Sequence, residues 1–350
     1  MHTKPLRVGV VATADGAAIH IPGLRQVPHI ELIAVAPADS SPVSSIAARY
    51  QIPNYFDDYR VMYRRAGLDA VTIAAPTELH HGLVVAAVES GLHILCDSPM
   101  ARTGAEARDM HRVARDGQVQ GSIVFPSRFV PARLRAKQLI DGGYIGDLQS
   151  VSVTAFRSPY VHRRSMMPLE PRLSLIQQLG YDYVDTLRWW FGDVHAVAGA
   201  RTAPALADID AAQADSNFSI LLQFGSGAIA TIHACSSSPV DLGDEMVAVG
   251  TDGVLALRND GKIFGTKRGQ QAISELAIPE DLTFELPKTV DPRVGPFTQL
   301  AYDWAHGILN GVPQAPSFED GMKVQEIVDG AIKSQELARW IDTSGKKWPV

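Results

Sequence analysis

The sequence predicts an α/β architecture: an N-terminal Rossmann-type doubly wound parallel sheet, then an α+β domain with a large, mostly antiparallel open-faced sheet. Two observations carry this expectation. Through about residue 124, apolar runs of strand length alternate with helical patterns across short connections, as parallel βαβ units require. From about residue 125 the pattern changes to alternating strands with glycine turns, of which Gly225-Ser226-Gly227 and Asp252-Gly253 are hairpin signals. The expected division is therefore 1–124, a Rossmann-type domain, and 125–350, an α+β domain.

In order, residues 6–11 read as a first strand, followed by a turn and a helix to about residue 27. A second strand at 30–36 ends at Pro37-Ala38-Asp39. Helices at 43–50 and 58–66 and a strand at 70–74 continue the alternation. A helix-like run over 80–91, with Leu83, Val84, Ala87 and Val88 at near-3.6 spacing, leads into the apolar strand Leu92-His93-Ile94-Leu95-Cys96-Asp97. A helix at 104–116 and a strand at 121–125 close the first half. In the second half a helix at 132–141 precedes a strand at 148–156, and a long helix covers about 173–191. Strands follow at 194–201, 217–224, 228–236, 245–250, 253–257 and 262–265. Helices at 297–309 and 318–341 finish the chain, the latter introduced by Ser317-x-x-Asp320, a capping pattern.

Composition excludes several classes. Apolar residues make up 46% and charged residues 20% of 350, ordinary for a globular protein. No apolar run approaches the ~20 residues of a spanning helix, and residues 4–14 read as a strand rather than a leader, because Arg7 interrupts them and Asp15 follows. Net charge is −6 without a long basic run, which argues against nucleic acid. Cys96 and Cys235 are too few for a disulfide framework and lack metal-ligand spacing, so a reducing cytoplasm is expected, with no metal.

Ligands of open α/β sheets sit beyond the carboxyl ends of the strands. Two such ends are Ala74-Ala75-Pro76-Thr77-Glu78-Leu79-His80 and Asp97-Ser98-Pro99. Together with Arg128-Phe129-Val130-Pro131 and Gly142-Gly143-Tyr144-Ile145-Gly146-Asp147, these segments resemble the Gfo/Idh/MocA family of NAD(P)-dependent oxidoreductases over roughly residues 5–340. The resemblance implies hydride transfer between a nicotinamide and an alcohol carbon of a sugar or cyclitol, with a catalytic lysine in Glu-Lys-Pro and an aspartate and histidine in D-x-G-x-H-x-x-D. Here those positions hold Ser98, Gln178 and Asp182, while Gly180 and Asp185 match.

The nucleotide-binding turn departs from the family as well. Its three glycine positions hold Ala12, Ala14 and Ala17, and alanine resists positive φ and projects a Cβ toward a diphosphate. The acid that binds the adenosine ribose is expected at the end of the second strand, where Pro37 stands. Asp39 reaches from two residues on, or is a turn residue. Pro76, His80, Asp97 and Ser98 complete the cofactor candidates, with capping or packing the alternative for His80.

Three functions follow as expectations. The leading one is a cofactor-independent, non-redox enzyme of lyase, isomerase or cyclase type on a small polar or anionic substrate. Asp182 would act as general acid or base, assisted by Tyr181, His162 or Ser98. Gln178 and Tyr160 would contact substrate, and Arg128, Arg157, Arg163, Arg164 and Arg172 would orient it, since guanidinium groups suit carboxylate or phosphate. The second is an NAD(P)-dependent oxidoreductase with a rebuilt site. The third is a silent binding partner or sensor. A homodimer or homotetramer through the open sheet is expected by analogy.

Overall fold

Strand β1 (Leu6–Ala12) is buried at all but one position, as a parallel strand covered on both faces must be. The computed structural model describes residues 4–39, 43–158, 174–202, 215–259, 261–283, 291–312 and 316–344. From β1 the chain runs through α1 (Ala14–Leu24), β2 (Ile30–Pro37), α2 (Val43–Arg49) and the two-residue β3 (Asn54–Tyr55). It continues through α3 (Tyr59–Arg65), β4 (Ala70–Ala74), α4 (Thr77–Glu89), β5 (His93–Asp97), α5 (Gly104–Asp116) and β6 (Gly121–Val124). The six strands pair in the order β3-β2-β1-β4-β5-β6, all parallel. This is the doubly wound Rossmann-type sheet that the alternation predicts.

Local chemistry fixes where the helices begin. The side chains of Thr13, Asp58 and Thr103 accept from the amides of Gly16, Arg60 and Glu106, each satisfying an otherwise unpaired first-turn N–H.

The second half opens with α6 (Pro131–Asp141), β7 (Leu148–Phe156) and α7 (Tyr181–Phe191). The expected single helix over 173–191 is divided: Ile176–Gly180 form a π turn ahead of α7. Asp215 caps this turn, its Oδ1 accepting from the amides of Leu175 at 2.5 Å and Ile176 at 3.4 Å. Gly192, at φ 89°, ends α7 in a conformation that disfavours a side chain. Strands β8 (Val194–Thr202), β9 (Asn217–Phe224), β10 (Ile229–Cys235), β11 (Gly243–Gly250), β12 (Gly253–Arg258), β13 (Lys262–Lys267) and β14 (Ser274–Leu276) follow.

Next come α8 (Val294–Asn310), α9 (Phe318–Leu337) and the short β15 (Ile341–Asp342). The second sheet has nine strands among the described residues, in the order β14-β13-β12-β11-β7-β10-β9-β8-β15. Every neighbouring pair is antiparallel except β7 with β10, where Ile229 opposes Ser150 and Cys235 opposes Phe156. Leu221 and Ile229 stand 40% and 47% exposed on adjacent strands, so one face of the sheet is open. At the start of α9 the predicted cap forms reciprocally: Ser317 N donates to Asp320 Oδ2 at 3.0 Å and Asp320 N to Ser317 Oγ at 3.2 Å.

The chain divides into two compact units, residues 1–126 with 286–325, and residues 127–285 with 326–350. The sequence-based division at 124/125 leaves out the return of residues 286–325, which include α8. That helix packs on α1, and a Cβ on Gly23 would lie 2.4 Å from Phe297. No helix among the described residues is long and apolar enough to cross a membrane.

Candidate functional site

In the first unit the carboxyl ends of β1, β2, β4 and β5 lie side by side, with Ala12 in register with both Pro37 and Ala74. Ala12 is buried, whereas Ala14, the first residue of α1, is exposed. Neither has positive φ. The expected conformational obstacle at this turn is therefore absent: the chain passes from β1 into α1 without a left-handed residue, so alanine costs the backbone nothing there.

Close approach of helix to sheet, which the third glycine of the motif usually permits, is made one residue earlier. A Cβ on Gly16 would lie 2.6 Å from Ala74 Cβ and 2.7 Å from the Ala74 carbonyl oxygen. The motif places this contact at Ala17, whereas Gly16 makes it. The Thr13 amide ties the turn to the same strand by donating to Ala74 O at 3.0 Å. Asp39 lies just beyond β2 and is exposed, and Pro76 precedes the first turn of α4.

At the end of β5, His20 donates from Nε2 to Asp97 Oδ1 at 2.9 Å. His20 is buried, its ring 4.3 Å from that of Phe297, and its Nδ1 has no hydrogen-bond partner among the described residues. Arg293 lies close enough to Asp15 and Asp97 for both carboxylates to help raise its pKa, after the larger effect of its hydrogen bond to Asp291. His20 gave no sequence signal, because Asp97 lies 77 residues away in the chain, and Arg293, though bonded to the neighbouring Asp291, gave none of its place near Asp15 and Asp97. Ser98 is half-buried directly after Asp97.

In the second unit, α7 carries two of the four predicted acid–base residues, Tyr181 and Asp182. Arg133, fully buried, donates from Nη1 to Asp182 Oδ2 at 2.7 Å and to Thr186 Oγ1 at 2.7 Å. One turn along, Arg128 holds Asp185 through two parallel bonds of 2.9 and 2.6 Å. Arg157 pairs with Asp244 at 2.5 Å, and its pKa is raised by Asp244 and Tyr183 against the opposing effect of burial. Tyr181 is buried and Gln178 half-buried.

These pairs bear on two expectations. Asp182, expected as a general base, has one oxygen committed to a buried guanidinium, so protonating it would remove the charge that Arg133 is paired with. Arg128 and Arg157, expected to orient an anionic substrate, are engaged by the chain's own carboxylates. Tyr160, His162, Arg163, Arg164 and Arg172 lie outside the described residues.

A six-stranded parallel sheet with a capped helix opening at the end of β1 defines a nucleotide-binding fold of the doubly wound class. Residues 6–125 match the model of the oxidoreductase family with an NAD-binding Rossmann fold, GFO_IDH_MocA, and residues 137–343 match that of the same family's C-terminal α/β domain. The chain belongs to the Gfo/Idh/MocA oxidoreductase family.

It is similar to the inositol 2-dehydrogenase of Rhizobium meliloti, 25% identical over 357 residues, covering 96% of this chain and 98% of that one. It is also similar to the levoglucosan dehydrogenase of Pseudarthrobacter phenanthrenivorans, 23% identical over 355 residues, or 88% of each. Among solved structures, a levoglucosan dehydrogenase in complex with NADH and levoglucosan superposes with a TM-score of 0.85. Identity there is 22%, with 97% of this chain and 99% of that one covered.

These findings correct the leading functional expectation. Relatives matched over most of their length are an inositol 2-dehydrogenase and a levoglucosan dehydrogenase, and a fold neighbour is held with NADH. Cofactor-independent lyase, isomerase or cyclase chemistry is set aside, together with the expectation that no cofactor is used.

Proposed function

We propose that the protein is an NAD(P)-dependent oxidoreductase acting on a sugar-like or cyclitol-like substrate with a rebuilt proton-handling site. The observation that carries this reading is the β1–α1 turn. Gly16 brings α1 against β4, neither Ala12 nor Ala14 has positive φ, and Ala14 begins the helix at an exposed position. The Gly16 amide is held by Thr13, but the amides of Ala14 and Asp15 at the start of α1 have no intrahelical carbonyl to bond, which suits them to a diphosphate. Asp39 at the end of β2 would receive the hydroxyls of one ribose, which favours NAD(H) over NADP(H).

The nicotinamide, when bound, accepts or donates a hydride. Proton handling then falls to the chain. Ser98 stands at the family's lysine position, where its hydroxyl would hydrogen-bond a substrate oxygen but needs a base to move a proton. Asp182 is tied to Arg133. Of the acid–base candidates Asp182, Tyr181, His162 and Ser98, the histidine has a side chain that ordinarily titrates near neutrality, at about 6.5, so His162 is proposed as the proton acceptor from a substrate hydroxyl. Gln178 and Tyr181 are proposed as substrate contacts on the segment where the family carries its aspartate and histidine. The exposed apolar residues of the open sheet suit a second copy of the chain, in a homodimer or homotetramer, and two free thiols suit the reducing cytoplasm.

The test is formation of NADH from NAD⁺ over a panel of aldoses, anhydrosugars and inositols. Turnover with at least one, lost in His162→Gln, supports the reading. NADH binding with no turnover on any of them would favour a silent binding protein instead.

A further inference from the structure

His80, at the fourth position of α4, is 1% exposed. Its Nε2 lies 2.8 Å from the carbonyl oxygen of Ala75, just after β4. Its Nδ1 lies 3.0 Å from the carbonyl oxygen of Pro99 and 3.3 Å from that of Met100, just after β5. Carbonyl oxygens only accept, so each contact needs a proton on the nitrogen that faces it. Either neutral tautomer bonds one of the two loops, and a ring protonated at both nitrogens bonds both.

Topology gives these loops a place in the site. In the order β3-β2-β1-β4-β5-β6, β2 flanks β1 on one side and β4 on the other. A dinucleotide with its diphosphate at the β1–α1 turn has one nucleoside beyond β2, where Asp39 stands, and the other beyond β4 and β5. That second nucleoside is the nicotinamide half.

We propose that His80 is a positioning residue for the nicotinamide subsite, stapling the ends of β4 and β5 and with them the Ser98–Pro99 turn; this rests on the nucleotide reading above. The imidazole is buried with both nitrogens turned to backbone, so it acts through the loops it holds rather than by touching cofactor. His80 therefore governs the nicotinamide half of the site and leaves the adenosine half alone.

The test compares NADH with ADP-ribose, which has the same adenosine and diphosphate groups but no nicotinamide, by calorimetry on the full chain. His80→Ala should weaken NADH about five- to tenfold, the scale of one lost hydrogen-bonded contact, with ADP-ribose unchanged within about twofold. His80→Gln, whose amide donates to one loop, should restore part of the NADH affinity. An equal fall in both ligands, or in neither, overturns the proposal. Should the alanine variant fail to fold, the NADH to ADP-ribose affinity ratio of the glutamine variant decides: a value below wild type supports the staple and an unchanged ratio refutes it. If the wild-type chain binds ADP-ribose and NADH alike and His80→Ala changes neither, the nucleotide reading survives and the staple fails; if wild type binds neither, both fall.

Discussion

Asp182 Oδ2 accepts from Arg133 Nη1 at 2.7 Å, and the guanidinium is fully buried while the carboxylate side chain is 12% exposed. The pair joins α6 to α7 inside the second unit, so the carboxylate serves first as the counter-charge of a buried cation. Asp182→Asn is expected to lower stability by about 2–4 kcal/mol, because it removes the negative charge that faces this buried cation. Urea unfolding of the purified variant measures this. A loss within about 0.5 kcal/mol of wild type, the scale of a surface substitution, would show that the pair holds nothing.

Gly16 sets the approach of α1 to β4. Gly16→Ala places a methyl group 2.6 Å from Ala74 Cβ and 2.7 Å from its carbonyl oxygen, and α1 must move to admit it. A stability loss of about 1–3 kcal/mol is expected from this overpacking, together with weaker NADH binding. Ala14→Gly, at an exposed residue without positive φ, should change NADH affinity by less than about threefold, under ~0.7 kcal/mol. Equal effects of the two substitutions in calorimetry would contradict this division of roles.

The pKa of His93 is lowered, chiefly by burial, against a smaller opposing effect of Asp69. Its Nδ1 accepts from the Gln120 amide at 2.9 Å, which requires the neutral ring. Since the folded state holds the proton less tightly than the unfolded one, this contribution to stability is present above the unfolded value near 6.5. It is lost as pH falls through the lower folded value. Unfolding free energies at pH 7.5 and pH 5, compared between wild type and His93→Asn, should show a smaller pH dependence in the variant, whose amide oxygen accepts the same bond without titrating.

Asp39 is the acid nearest the end of β2. Asp39→Ala should weaken NADH about tenfold, the scale of a charge-assisted hydrogen bond, while leaving NADPH unchanged or improved. Parallel loss of both nucleotides in a fluorescence titration would remove Asp39 from the ribose site.

Much of the first unit was legible because a parallel sheet covered on both faces prints itself as short, wholly apolar runs; β4 and α5 fall where periodicity puts them. The capping box of Ser317 and Asp320 was readable because its partners are three residues apart. What failed was tertiary in origin. Ala12 and Ala14 read as an obstructed turn on the assumption of positive φ, and Gly16, one residue out of motif register, had taken over the close contact with Ala74. For Asp182, read as a general acid or base, the partner is Arg133, 49 residues earlier, a pairing that nothing local in the chain marks. Nor does the chain announce that α8 returns to pack Phe297 against His20, since nothing local distinguishes a helix that comes back to the first unit from one that stays in the second.

Nucleotide binding is the claim on which the proposed activity rests, and titration of the unmodified protein with NADH tests it most directly. Saturable binding with a dissociation constant in the micromolar range, about 7–9 kcal/mol, is the predicted result. A flat calorimetric trace at millimolar NADH, from protein that unfolds cooperatively and is therefore native, would contradict it.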